Sequence, residues 1–283
     1  MVRLLILKRI LKILIIFVVL GAFCLGCAPS YPRDKLISAL KEICKKEYNI
    51  DVQAELVGKT IIVFVPLDEL FDRQLDILPN AIEKIERVIL STSRVILSTD
   101  TKIDFYKIIA ADTKTTAAEV ILVRFMDDVY KFMYGWIKRE DYSQRILWQI
   151  NFNPVLLNNQ DYDFSGEEVF LADFLAQQIS RRLDVIFASS LVYKTKVAAK
   201  YDDLQRQFNF SVIVARNDNF KNVQVPIILK KANEVLQSYK FDNFERIFIS
   251  NELLKNSYII LKKELKNYDS VNIDELLTLP IYN

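Results

Sequence analysis

The chain contains no histidine, so the nucleophile-imidazole systems of acyl transfer and every histidine-ligated zinc site are excluded. Glycine is nearly as scarce, with five residues in 283. Only Gly58, Gly135 and Gly166 lie beyond residue 27, and they are too scattered for a phosphate-cradling loop or a dinucleotide fingerprint. Three cysteines, two of them within the first 27 residues, leave Cys44 alone in the body of the chain, so no intramolecular disulfide framework forms there. Leu40, Ile43 and Tyr48 around Cys44 suggest a buried thiol. Excess charge of one sign is also missing. A near-neutral chain with interspersed charges offers no basic stripe for nucleic acid.

The N-terminus is the most informative segment. Arg3, Lys8, Arg9 and Lys12 occur without an acid, Ile13 to Phe23 is continuously apolar, and Cys24-Leu25-Gly26-Cys27 closes the run. That apolar stretch is shorter than the roughly 20 residues a bilayer-spanning helix needs, and Pro29 and Pro32 follow it. A basic start, a short apolar core and a small residue before the break define a targeting segment. It resembles a bacterial lipoprotein signal peptide. The resemblance implies cleavage after Gly26 and acylation of Cys27. Cys24 stands where that family usually has leucine, three places before the cut. Loss of residues 1–26 removes four basic residues and takes the formal charge from +2 to −2. Acyl chains contribute about 0.8 kcal/mol per buried methylene, enough for a stable anchor when two or more are present. The tether 27–33 is short, so the folded part is expected to work beside the bilayer.

The remaining chain predicts an α+β fold, mostly antiparallel sheet with helices packed on it. Helices are expected over 34–48, 79–98, 166–189 and 226–239, and strands over 51–57, 60–66, 103–111 and 119–125. Further strands are expected over 146–152, 192–200, 207–216 and 244–250, with 257–265 open to either strand or helix. Asp34 is a plausible cap for the first helix. Ile82, Ile85, Ile89 and Ile96 give the second its inward stripe, and Pro79 suits its first turn. Asp127-Asp128 and Asp202-Asp203 read as turns. This order writes α-β-β-α-β-β twice, as two similar halves (34–160 and 161–283) or as one continuous α+β domain. Segment 129–139 fits a helix by its apolar spacing, but aromatic density and Gly135 favour a strand. Paired with 146–152, it would complete a four-stranded antiparallel meander over 103–152.

Four constellations carry the functional expectations. Asp161, Asp163, Ser165 and Gly166 imitate the start of a calcium loop. Its twelfth position is Ala172 where a bidentate glutamate is needed, so a capping box from Ser165 and Glu168 is the better reading. Asp68, Glu69, Asp72 and Asp76 form the densest carboxylate loop and are candidates for acid-base work on a glycan. Tyr130, Phe132, Tyr134 and Trp136 are candidates for a partner-docking or sugar-stacking surface, against a core face packing on helices. Lys41, Lys45 and Lys46, close to the anchor, are candidates for contact with anionic lipid head groups, against the better reading of a solvated helix face. No cofactor is expected. The resulting expectation is a non-catalytic envelope lipoprotein that binds or scaffolds an envelope protein or glycan at the membrane. A carboxylate-dependent glycan hydrolase and a carrier of an apolar ligand stand as alternatives.

Overall fold

A computed structural model describes residues 31–72, 74, 76–114, 116–152, 166–190, 195–214 and 220–278. Cys27 with its leader, and Asp161, Asp163 and Ser165, lie outside the described residues. The fold is α+β: β1 (Gln53–Val57), β2 (Thr60–Leu67), β3 (Phe105–Asp112), β4 (Ala118–Phe125) and β5 (Leu147–Phe152) form one sheet in chain order. β6 (Thr195–Asp202), β7 (Gln207–Val214), β8 (Arg246–Asn251) and β9 (Ser257–Leu261) form a second, also in chain order. The helices are α1 (Leu36–Tyr48), α2 (Pro79–Leu97), α3 (Met126–Met133), α4 (Arg139–Arg145), α5 (Leu171–Ala188), α6 (Val225–Ser238) and α7 (Ile273–Thr278). The order α-β-β-α-β-β therefore occurs twice, as α1-β1-β2-α2-β3-β4 and as α5-β6-β7-α6-β8-β9. Contacts group the described residues into two compact units, one of 31–56, 61–119 and 152, the other of 57–60, 120–151 and 166–278.

In the first unit, Ile61 to Val65 and most of β3 are buried continuously, the pattern of strands covered on both faces. α1 buries Leu36, Leu40 and the free thiol Cys44 against α2, and the Arg94–Glu47 ion pair (2.9 Å) ties the two helices. A 3-10 turn (Arg33–Lys35) precedes α1, whose N-cap is Lys35, so Asp34 does not cap it. α2 begins at Pro79 as expected, yet its buried stripe is Ala81, Ile85, Val88, Ile89, Thr92, Val95 and Ile96, while Ile82 faces water. Thr92 is admitted to that stripe because its hydroxyl donates to the Val88 carbonyl (2.8 Å).

The second unit is built on the β6–β9 sheet. β6 and β7 form an antiparallel hairpin, β7 and β8 run parallel with α6 as the crossover, and β8 and β9 are antiparallel. Phe208, Phe210 and Val212 on β7 and Ile247 and Ile249 on β8 are fully buried. α5 packs on β6 and α6, placing Phe174, Leu175, Ile179, Leu183 and Phe187 in the core. Each such side chain contributes about 1.5–3 kcal/mol relative to exposure. Asp202 accepts the Gln205 N–H (3.0 Å) in the β6–β7 turn, as the turn reading requires.

Three more expectations are overturned by the helices. Residues 129–139 are not a strand: α3, the loop 134–138 and α4 separate β4 from β5, so the four-stranded antiparallel meander does not exist. Gly135 is the reason. At φ 71° it terminates α3, with its N–H on the Phe132 carbonyl (3.0 Å) and the Trp136 N–H on the Lys131 carbonyl (2.8 Å). That pair of bonds is a Schellman ending, in which glycine supplies the left-handed residue a helix needs to stop. Asp127 and Asp128 accordingly sit in the first turn of α3, where the helix dipole favours acids, and are not a strand-connecting turn. The capping box fails as well. α5 starts at Leu171, and Glu168 instead accepts the Lys59 N–H (2.8 Å) at the β1–β2 turn.

Candidate functional site

The four aromatics singled out in the sequence fall on the solvent side of α3 and on the loop beyond it. Helical rather than strand geometry decides their arrangement. Met126, Asp128 and Val129 turn inward, while Tyr130, Phe132 and Met133 turn outward. Tyr134 (66% exposed) and Trp136 (73%) extend the same stretch past the Schellman glycine. Met133, absent from the sequence-based set because a strand would have faced it the other way, is 57% exposed. These are not floppy surface residues. Phe132 stacks on the buried ring of Tyr142 (4.4 Å, 4°), and Tyr134 and Trp136 lie 5.4 Å apart. Asp127 and Lys131 pair across one turn of α3 (2.6 Å). Isolated exposed apolar side chains are ordinary, but five large ones within seven residues are denser than that.

A buried polar network holds the base of this platform. Asp128, 2% exposed, receives the Arg145 Nη1–H (2.9 Å) and the Tyr239 hydroxyl. Arg145 also forks onto Asp141 with Nε and Nη2, both at 3.1 Å, and its guanidinium lies 5.1 Å from the Tyr239 ring centre. Gln178 donates to the Tyr239 oxygen (3.2 Å) and to the Arg145 carbonyl. Four helices, α3, α4, α5 and the end of α6, are thereby joined through charged groups. Burial pushes the Asp128 carboxyl above its ordinary value, an effect the Tyr239 hydroxyl and Arg145 oppose. Burial alone would lower Arg145, but the bonds to Asp141 and the charge of Asp128 outweigh it and hold the guanidinium firmly charged. Tyr239 is raised well above its usual value, first by burial and then by the neighbouring Asp128 charge. Sequence reasoning missed this network, since its members are spread over 112 positions and carry no spacing signal.

The other candidate residues are not gathered into a site of this kind. Asp68 is exposed and ion-paired to Lys114 (2.9 Å). Asp72 closes its own turn, accepting the Gln74 and Asp76 N–H groups (2.8 and 2.9 Å). The carboxylate that organises this loop is Asp112, fully buried, which accepts the Leu70 and Lys114 N–H groups and the Thr116 hydroxyl. Lys45 pairs with Asp51 (2.6 Å) and Lys46 with Glu42, both at the surface. Among the described residues no cluster of acids and cysteine is arranged to hold a metal ion, and no helix is long and apolar enough to cross a membrane.

Among the described residues of the second unit, two cavities bear on function. The larger, about 760 Å³, is lined by Leu236, Phe241, Phe244, Leu261 and Leu265, with Lys240 and Lys262 among the polar groups at its wall. The smaller, about 320 Å³, lies among α4, α5 and α6. Comparison with protein-family models, with curated proteins and with solved structures finds no match for this chain.

Proposed function

We propose that this chain is a lipid-anchored binding protein of the bacterial envelope, without catalytic activity of its own, whose aromatic platform docks an envelope protein close to the bilayer. The observation that carries the reading is the platform itself: Tyr130, Phe132, Met133, Tyr134 and Trp136 exposed together on a helix end that is pinned from below. Tyrosine and tryptophan are the side chains that most often dominate binding energy, since each brings a large apolar area at little rotamer cost. Residues 1–27, with their resemblance to a lipoprotein leader, supply the location. Lipidation at Cys27 would hold the platform at the membrane surface.

The test is purification of the tagged chain from gently solubilised native membranes after brief crosslinking. A stoichiometric protein partner is expected, and Trp136→Ala with Tyr134→Ala should weaken its recovery roughly 30-fold, as loss of a hot spot worth about 2 kcal/mol requires. Undiminished recovery from the double variant would overturn the reading. Cys27→Ala should leave an unprocessed, unacylated precursor, and an acylated product from that variant would remove the anchor.

A second reading, the carrier of an apolar ligand, is favoured by the 760 Å³ cavity with its leucine and phenylalanine wall, a size and lining suited to a small amphiphile. Native mass spectrometry of the purified chain separates the two readings, because a carrier retains a lipid adduct.

A further inference from the structure

The smaller cavity of the second unit has an unusual electrical character. Its wall consists of Arg181, Arg182, Val185 and Ile186 from α5, Lys231 from α6, and Ser143 and Gln144 from α4. Three cations, a hydroxyl and an amide line it, and no carboxylate does among the described residues. Lys231 shares its ammonium with Glu234 at the neighbouring surface, while Asp141 and Glu234 act on Arg182 only as charges that do not pair with it. Arg181 donates Nη1–H to the Ile146 carbonyl (2.9 Å) and lies 4.8 Å from the Trp148 ring centre, but among the described residues it has no ion-pair partner. Arg182 is more exposed to this deficit. Its Nε and Nη2 are both buried and neither meets a hydrogen-bond acceptor. Burial lowers the affinity of both guanidinium groups for their proton, with no neighbouring acid strong enough to restore it.

Arg145, in the same unit, shows how this chain treats a buried arginine when only architecture is at stake: it is matched with Asp128 and Asp141. Arg181 and Arg182, both half-buried, are given no such match among the described residues, and withdrawing a cation from water without a counter-charge is unfavourable.

We infer that the cavity is a binding site for a small oxyanion, a carboxylate or phosphate carried on a compact organic body. The guanidinium groups and Lys231 would hold the anion, Ser143 and Gln144 would supply further donors, and Val185 and Ile186 would cover the body. At about 320 Å³ the space sits at the lower end of small-molecule sites and excludes a whole acyl chain. The inference goes beyond the docking function and stands without it.

The test is calorimetric titration of the detergent-solubilised full chain with inorganic phosphate and, separately, with succinate. Saturable binding at one site per chain is expected for at least one of them. Arg182→Gln should weaken it roughly tenfold or more, as loss of a charge-assisted hydrogen bond implies. Lys231→Gln, at the cavity rim, serves as the second variant if Arg182→Gln does not fold. Native mass spectrometry distinguishes the source of the anion: a phospholipid adduct displaced by phosphate identifies a lipid headgroup, and its absence beside phosphate or succinate binding identifies a free solute. Either supports the site. No saturable binding of either probe and no phospholipid adduct, or binding unchanged in the folded variants, overturns it.

Discussion

Arg145→Met is the substitution whose consequence follows most directly from the structure. Its guanidinium is the main counter-charge to Asp128, which is 2% exposed and otherwise served by the Tyr239 hydroxyl. Methionine fills most of the arginine stem but leaves a buried carboxylate unpaired, a loss of about 3–5 kcal/mol when one member of a buried pair is removed. The cost should depend on pH. Without Arg145 the folded-state value of Asp128 rises further above its unfolded value of about 3.9. The folded variant then holds its proton more tightly, so its stability is greatest below that unfolded value and is lost as pH rises through the raised folded one. The assay is urea unfolding of the full chain in detergent, followed by far-ultraviolet circular dichroism between pH 4 and pH 8. Asp128→Asn added to Arg145→Met should restore part of the loss at neutral pH and abolish most of its pH dependence. Equal destabilisation of single and double variants, with no dependence on pH, would refute the argument and demote the pair to a surface-like contact.

Two further outcomes follow from local geometry. Gly58 sits at φ 58°, and a Cβ there would fall 2.1–2.2 Å from the Glu168 carboxyl. Gly58→Ala should therefore cost about 2–3 kcal/mol, combining left-handed strain of roughly 1–2 kcal/mol with the lost bond from the Lys59 N–H. In a Glu168→Ala background only the strain should remain, measurable by the same unfolding assay. Tyr239 is held well above the ordinary tyrosine value of about 10, so the stability it contributes is fully present below pH 10 and is lost as pH rises beyond it. The gap in stability between the parent and Tyr239→Phe should narrow above that pH, and a gap that stays constant would contradict the assigned environment.

The sequence pattern was a good guide where apolar periodicity alone decides structure. β2 and β3, the extent of α5 and the start of α2 at Pro79 lie within a few residues of expectation, because burial of Ile61 to Val65 or of Phe174, Ile179 and Leu183 admits few alternatives. Failure came where one residue supports two readings. Gly135 is compatible with a strand in which it is merely tolerated and with a helix it terminates. Only the bonds from Gly135 and Trp136 back to α3 select the second. With the helix restored, the aromatic residues change from an alternating face, suited to a core, into a projecting cluster that includes Met133. The platform residues were thus legible but their geometry was not. The network of Asp128, Arg145, Gln178 and Tyr239, and the unpaired Arg181 and Arg182, depend on helix packing and leave no trace in local spacing.

Site-specific photocrosslinking in native membranes shows whether the end of α3 docks a protein, as proposed. A photoreactive side chain placed at Tyr134 or Trp136 should give one discrete protein adduct, and the same group placed at the exposed turn residue Lys59 should not. Adducts absent from positions 134 and 136, or identical from all three positions, would contradict the account.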